Sequence, residues 1–318
     1  MSEKTKKCRK CGRELPKKRG GGYESCSYCE IDVLWKTEEW KSFDKLLRKV
    51  DVRPVLTPMT TLKKSPFLKT NTCLDELFAG GIRRGQLVEV WGEYASGKTE
   101  FCLSCVAEST GKVIYVDSEH TFVPDRLVEI AKARGKTEEE IKNLDKRILY
   151  YEPENWKEQM AVFHQLPKIK EGELDLIIVD SLMAYFREEE DFLGRQNLFT
   201  RQGLVRIHLA KIRRIARKLG AVAIVTNQAV SNPNVTQFTR SYERKSGAGG
   251  DTVRHIPEVI LSFRKAKDPK RIARIMDSLE LPNLERAFIL SEKGVDDIPK
   301  EEAKVTPEEP EIEEEKEE

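Results

Sequence analysis

Gly92-Glu93-Tyr94-Ala95-Ser96-Gly97-Lys98-Thr99 fits the phosphate-loop pattern G-x-x-x-x-G-K-[ST]. The apolar run Gln86 to Trp91 ahead of it reads as a strand. Lys98 to Glu108 behind it, free of proline and glycine, reads as a helix. That strand-loop-helix context is what the chemistry requires. Glycines let backbone N–H groups close around phosphate oxygens, and the helix N-terminus adds a favourable dipole. Lys98 is placed to reach the β- and γ-phosphates and Thr99 to ligate Mg²⁺. The candidate nucleotide contacts are therefore Gly92 to Thr99 and, next in the helix, Glu100. A chance glycine-rich turn is the bland alternative, disfavoured by Lys-Thr in register with both flanking elements.

With 318 residues, 39% of them hydrophobic, the chain can bury one large core or two smaller ones. No uncharged apolar run approaches the roughly 20 residues of a spanning helix, and the basic N-terminus lacks a signal peptide's apolar region. A cytoplasmic location without a membrane partner is expected. The net charge of +2 hides a strong polarity. Residues 1–22 carry nine Lys/Arg against two Glu, whereas residues 299–318 carry ten Glu against three Lys. The acidic, proline-broken tail 299–318 is expected to be disordered.

Cys8-Arg9-Lys10-Cys11 and Cys26-Ser27-Tyr28-Cys29 form two C-x₂-C pairs separated by fourteen residues. Cys8, Cys11, Cys26 and Cys29 suit a tetrahedral Zn²⁺ site, so residues 1–35 read as a zinc ribbon. The lysines and arginines around it suit DNA, and a protein contact stays open. Trp40, Phe43, Leu46, Leu47 and Val50 repeat at helical spacing, giving a short amphipathic helix over 38–49. Pro54, Pro58 and Pro66 mark a connector, so residues 36–69 join the ribbon to a core at 70–298. Cys102 and Cys105 form a third C-x₂-C, but they fall on the phosphate-loop helix without a partner pair and read as buried thiols.

Within the core, strand candidates at 86–92, 112–118, 148–152, 174–180 and 221–226 alternate with helical patterns. That predicts an α/β fold, a mostly parallel central sheet covered on both faces. Val259 to Ala266, Arg271 to Met276 and Arg286 to Ser291 follow one another without helices and are expected to extend the sheet in antiparallel fashion. Leu174-Asp175-Leu176-Ile177-Ile178-Val179-Asp180 is an apolar strand ending in an acid, which makes Asp180 the second candidate Mg²⁺ ligand beside Thr99. The strand 112–118 leads into Glu119, the candidate general base for water attack on a γ-phosphate.

Several separated segments together resemble the RecA-like recombinase superfamily, in its archaeal and eukaryotic branch that includes archaeal RadA and RadB. They are Thr70 with Leu74-Asp75-Glu76-Leu77 and Gly80-Gly81-Ile82; Tyr115 to Glu119 with Thr121-Phe122 and Pro124-Asp125-Arg126-Leu127; Val225-Thr226-Asn227-Gln228; Gly249-Gly250 through His255; and Asp277-Ser278 with Pro282. The resemblance spans residues 66–297. It implies a RecA-like ATPase of homologous recombination and repair that uses ATP and Mg²⁺ and binds single-stranded DNA, with double-stranded DNA as a further candidate partner. It also implies Glu119 as base, Lys98 as phosphate ligand, Gln228 as a γ-phosphate sensor and Arg126 stacked on adenine. Asp277 and Pro282 would cap the ATP of a neighbouring subunit, so a homo-oligomer or a partner recombinase is expected.

Composition supports one DNA loop, and the resemblance implies another. Ser231 to Asp251 is polar and glycine-containing, with Arg240, Arg244 and Lys245 interleaved with Phe238 and Tyr242, which suits phosphate contact and base stacking. Arg187 to Asn197, with Arg187 and Arg195, matches the first loop in position, although its Glu188-Glu189-Glu190-Asp191 run opposes phosphate. No F-x-x-A tether appears in residues 30–70, which argues against long filaments. The expectations are thus a DNA-dependent ATPase, a recombinase paralogue that binds ATP and a partner recombinase with weak turnover and no strand exchange, or, third, a signalling ATPase without DNA. The ribbon reading carries its own test: one equivalent of zinc per chain, and loss of structure confined to residues 1–35 on chelation. Protein free of zinc with an unchanged N-terminal fold would refute it.

Overall fold

The structure, a computed structural model, describes residues 67–188, 198–231 and 245–299. These belong to one compact unit, Lys64–Glu318. The four ribbon cysteines, the helix expected at 38–49, Arg195, Arg240, Arg244 and the tail beyond residue 299 lie outside the described residues.

The chain begins with a two-residue strand β1 (Phe67–Leu68), then α1 (Leu74–Leu77) and β2 (Ile82–Arg83), which pairs antiparallel with β1. There follow β3 (Leu87–Gly92), α2 (Lys98–Glu108), β4 (Lys112–Asp117), α3 (Pro124–Ala133), α4 (Glu138–Arg147), β5 (Ile148–Tyr151) and α5 (Trp156–Ala161). Next come β6 (Leu174–Asp180), α6 (Ala184–Glu188), α7 (Leu198–Leu219), β7 (Val222–Ser231), β8 (Lys245–Gly247) and α8 (Asp251–Arg254). The chain closes with β9 (Val259–Lys265), β10 (Lys270–Ser278), β11 (Glu285–Ser291) and β12 (Gly294–Asp296).

Nine strands form the main sheet in the order β12-β11-β10-β9-β3-β7-β6-β4-β5, and β8 pairs with β7 outside that path. Every residue of β3 and β6 is buried, which is why both segments read as continuous apolar runs rather than alternating ones. Alternation appears instead in which face a residue serves. Val113 and Tyr115 join one core with Phe101 and Val106 of α2 and Leu127 of α3. Ile114 and Val116 join the other, with Val205, Leu209, Ile212 and Ala216 of α7. Those four α7 positions recur every three or four residues, one apolar stripe of a helix. Cys102 and Cys105 are buried and free, as their place on α2 requires. Among the described residues no helix is long and apolar enough to cross a membrane.

Two expectations need correction. The strand at 259–265 pairs parallel with β3, in the register Val88↔Val259, so the antiparallel part begins only with β10. The short α8 carries the chain back to the start of β3, where the N–H of Glu258 donates to Leu87 O at 2.9 Å and its carboxylate accepts the Leu87 N–H at 2.8 Å. Four helical residues give too weak a period to announce that crossover. The second concerns the polar loop expected from Ser231 to Asp251. Its two ends are strand, because β7 runs on past Gln228 and pairs with β8, with Ala229↔Gly247 and Ser231↔Lys245 in register.

Beneath β8 lies a buried carboxylate. Glu89 on β3 accepts from Asn227 Nδ2 at 2.8 Å, and the same amide donates to Ala248 O at 2.7 Å. Asn227 Oδ1 accepts the Gln228 N–H at 2.9 Å. A Cβ on Gly247 would stand 2.6 Å from Glu89 Oε1, so only glycine fits there. Burial pushes the Glu89 carboxyl from 4.5 up to about 7, against the opposing effects of Asn227 and Arg254. A group that holds its proton more tightly when folded stabilises fully below its unfolded value and loses that contribution as pH rises through the folded one. For Glu89 this loss runs from about pH 4.5 to 7 and amounts to roughly 3 kcal/mol. Glu89→Gln keeps an acceptor for Asn227 but cannot ionise. Its Tm relative to the parent is expected to climb by roughly 5 °C between pH 5 and 8; a difference that stays flat with pH would refute the buried charge.

Candidate nucleotide site

The loop between β3 and α2 is shaped by its glycines. Gly97 caps α2 at φ +102°, and a Cβ on Gly92 would stand 2.4 Å from Phe263 O and 2.5 Å from Ser96 Oγ. The hydroxyl of Ser96 is buried without a hydrogen-bond partner, and so is that of Ser118 at the end of β4. Buried hydroxyls left unpaired in and beside such a loop fit a phosphate-bearing ligand. Lys98 is largely buried and donates from Nζ to the carbonyls of Gly92 at 3.2 Å and Glu93 at 3.0 Å. Burial lowers its proton affinity, and the carboxylates of Glu119 and Asp180 raise it back in part.

Asp180 ends β6 directly across from this helix start. It accepts from Thr99 Oγ1 at 2.8 Å, from Tyr115 OH at 3.2 Å and from Thr226 Oγ1. Its burial raises the carboxyl's pKa, while the hydroxyls of Thr226 and Thr99 pull it down. Among the described residues no group of three or more His, Cys, Asp and Glu side chains forms a metal cage. One carboxylate and one hydroxyl side by side suit Mg²⁺, which keeps its waters and takes the rest of its shell from phosphates.

Glu119, just beyond β4, lines the same cleft of about 280 Å³ as Tyr94 to Glu100. Its Oε1 accepts from Ser181 Oγ at 2.5 Å and from Gln228 Nε2 at 3.1 Å. Gln228 in turn accepts from Arg187 at 2.7 Å through Oε1. Glu119, Gln228 and Arg187 are thus one hydrogen-bonded chain, and Arg187, expected at the start of a loop, lies in the last turn of α6. A second link joins the other loop to the cradle: Lys245, on β8, pairs with Glu93 of the phosphate loop. That hydrogen bond from Lys245 is the main reason the Glu93 carboxyl sits below its usual range.

Arg126 on α3 is held by Glu100 through two hydrogen bonds of 3.0 Å each, and donates also to Ser291 O at 2.6 Å. Asp277 stands in β10 opposite Ile260, and Pro282 lies in the connection to β11; neither lines this chain's own cleft. Arg271 and Leu290 of the antiparallel strands do line it. Motif reading passed over both, since no spacing rule ties them to the loop. Also unforeseen was His120, which follows the base and pairs with Glu152 through Nδ1.

The family profile described as Rad51 matches residues 67–298. The chain belongs to the Rad51 family. Over 234 residues it is 34% identical to the "DNA repair and recombination protein RadA" of Aeropyrum pernix, covering 70% of each chain. It is also similar to a solved structure titled "Crystal structure of the RadB recombinase", at 33% identity and a TM-score of 0.61, over 73% of this chain and 100% of that one. Rad51-family proteins are RecA-like ATPases that use ATP and Mg²⁺, which supports ATP hydrolysis at the site just described. Lys98→Ala is expected to lower ATP turnover by about 100-fold or more, measured as phosphate release, through loss of the cation facing the γ-phosphate. Retained turnover would refute the assignment of this cleft.

Proposed function

We propose that this Rad51-family chain acts in homologous recombination and DNA repair as a DNA-dependent ATPase, coupling ATP binding and hydrolysis to the binding of single-stranded DNA. The observation that carries the reading is the run Arg187–Gln228–Glu119, in which an arginine of α6, just ahead of the first loop, touches the sensor and the sensor touches the base. Lys98 and the N–H groups at the start of α2 bind the β- and γ-phosphates. Thr99 and Asp180 hold the Mg²⁺, which supplies charge neutralisation when bound. Glu119 orients water toward the γ-phosphorus through its carboxylate. Arg126, held by two hydrogen bonds to Glu100, stacks on the adenine. Asp277 and Pro282, away from this chain's own cleft, serve a neighbouring subunit. Arg187 and Lys245, with Arg195, Arg240 and Arg244, contact DNA phosphates. Cys8, Cys11, Cys26 and Cys29 hold Zn²⁺.

A second reading has its own support. Glu119 Oε1 already accepts two hydrogen bonds, from Ser181 and Gln228, so protein donors rather than a water occupy that oxygen. That favours a paralogue that binds ATP and a partner recombinase while turning over little and exchanging no strands. ATP hydrolysis with and without single-stranded DNA separates the readings. Stimulation of tenfold or more is the outcome of the first, DNA binding with little stimulation that of the second, and neither effect would leave a signalling ATPase. In the first case Arg187→Ala should cut the stimulation and lower the salt slope of DNA binding by about one. Unchanged stimulation and slope would remove Arg187 from the coupling.

A further inference from the structure

Residues two apart on a strand share a face, so β10 turns Arg271, Ala273 and Ile275 to one side. Ala273 and Ile275 are buried there in the core with Phe263 and Phe288. Arg271 stands directly opposite Phe288 in the antiparallel register, with Leu290 next along the same face. Alternation asks for an apolar side chain at this position, and the chain has an arginine. That face meets the phosphate loop: a Cβ on Gly97 would come within 3.1 Å of Leu290 and 3.5 Å of Phe288. Arg271 lines the cleft with Gly97, Lys98 and Thr99.

Its partners do not account for it. Arg271 NH1 donates to Pro269 O at 2.7 Å, which pins one corner of the guanidinium. Nε is buried and has no hydrogen-bond partner among the described residues. The neighbouring strand arginines differ, because Arg274 and Arg264 both stand within ion-pair distance of Glu285, at 3.7 and 4.0 Å. Inward charges often guard a sheet edge against pairing, but β10 lies between β9 and β11 and has no open edge. With NH1 engaged, the side of the guanidinium formed by Nε and NH2 remains, two parallel donors whose spacing matches two phosphate oxygens.

We propose that Arg271 is a nucleotide-binding residue, a cation that the C-terminal antiparallel strands contribute to the polyphosphate held on the phosphate loop. This deepens the ATP-binding reading above and rests on it. A residue placed for ligand rather than for the fold leaves a distinct signature. Arg271→Met keeps an apolar stem and removes the unpaired buried donor. It is expected to bind ADP and inorganic pyrophosphate at least tenfold more weakly than the parent by calorimetry or displacement, with a ligand-free Tm equal to or above the parent's. Arg271→Lys, which keeps the charge without the two-pronged donor, is expected to lose about threefold, and this variant carries the test if Arg271→Met does not fold. Unchanged ADP affinity in the variants would overturn the proposal. A loss for ADP with none for pyrophosphate would overturn it too, by moving the contact to the nucleoside. A parent chain that binds neither ligand would sink the ATP-binding reading and this proposal together.

Discussion

Asp180 is the point at which the molecule is tied together. Its buried carboxylate receives hydroxyls from three directions: Thr99 on the phosphate-loop helix, Tyr115 on β4 and Thr226 on β7. A carboxylate taken out of water is costly unless it is hydrogen-bonded. Satisfying this one fixes the distance between α2 and the carboxyl ends of three strands. The cradle is thereby held open over the sheet rather than merely joined to it. The same group that organises the apo protein is the one a Mg²⁺ ion would claim, so fold and chemistry meet at one atom pair.

From that anchor the central strand β3 distributes position to the rest of the site. Its flanks are β7 on one side and β9 on the other, and the next strand in sequence, β4, lies three places away, beyond β7 and β6. Such a switch in strand order opens a crevice at the carboxyl ends, where ligands of open α/β sheets bind. Gln228 on β7 stands beside Gly92 in register, and Glu89 three residues back steadies Asn227 under β8. Gln228, Glu119 and β8 are therefore joined over one stretch of the sheet.

Much of this was legible in the residues. Gly92 to Thr99 and Leu174 to Asp180 announced themselves because phosphate and Mg²⁺ chemistry dictates residue type at fixed spacing. The parallel strands were visible as unbroken apolar runs because both their faces are buried. What stayed hidden depends on partners far apart in sequence. Nothing local says that Lys245 pairs with Glu93 or that Arg187 reaches Gln228, since each pair forms only once the sheet is assembled. Arg271 belongs to no motif, and only its register with Phe288 sets it on the inward face. The parallel pairing of β9 was missed for a related reason: a four-residue helix suffices to return the chain, and four residues carry no readable period.

The hold of Lys98 on the carbonyls of Gly92 and Glu93 has a kinetic meaning. An ammonium enclosed by protein would, if left alone, either repel its surroundings or drag the loop inward. Here it borrows two weak neutral acceptors from the very loop it serves. The loop is braced by its own lysine, and an anion binding there would have to outcompete two carbonyls for one rotatable head group. Occupancy can then change by a single side-chain swing, without any refolding of the loop.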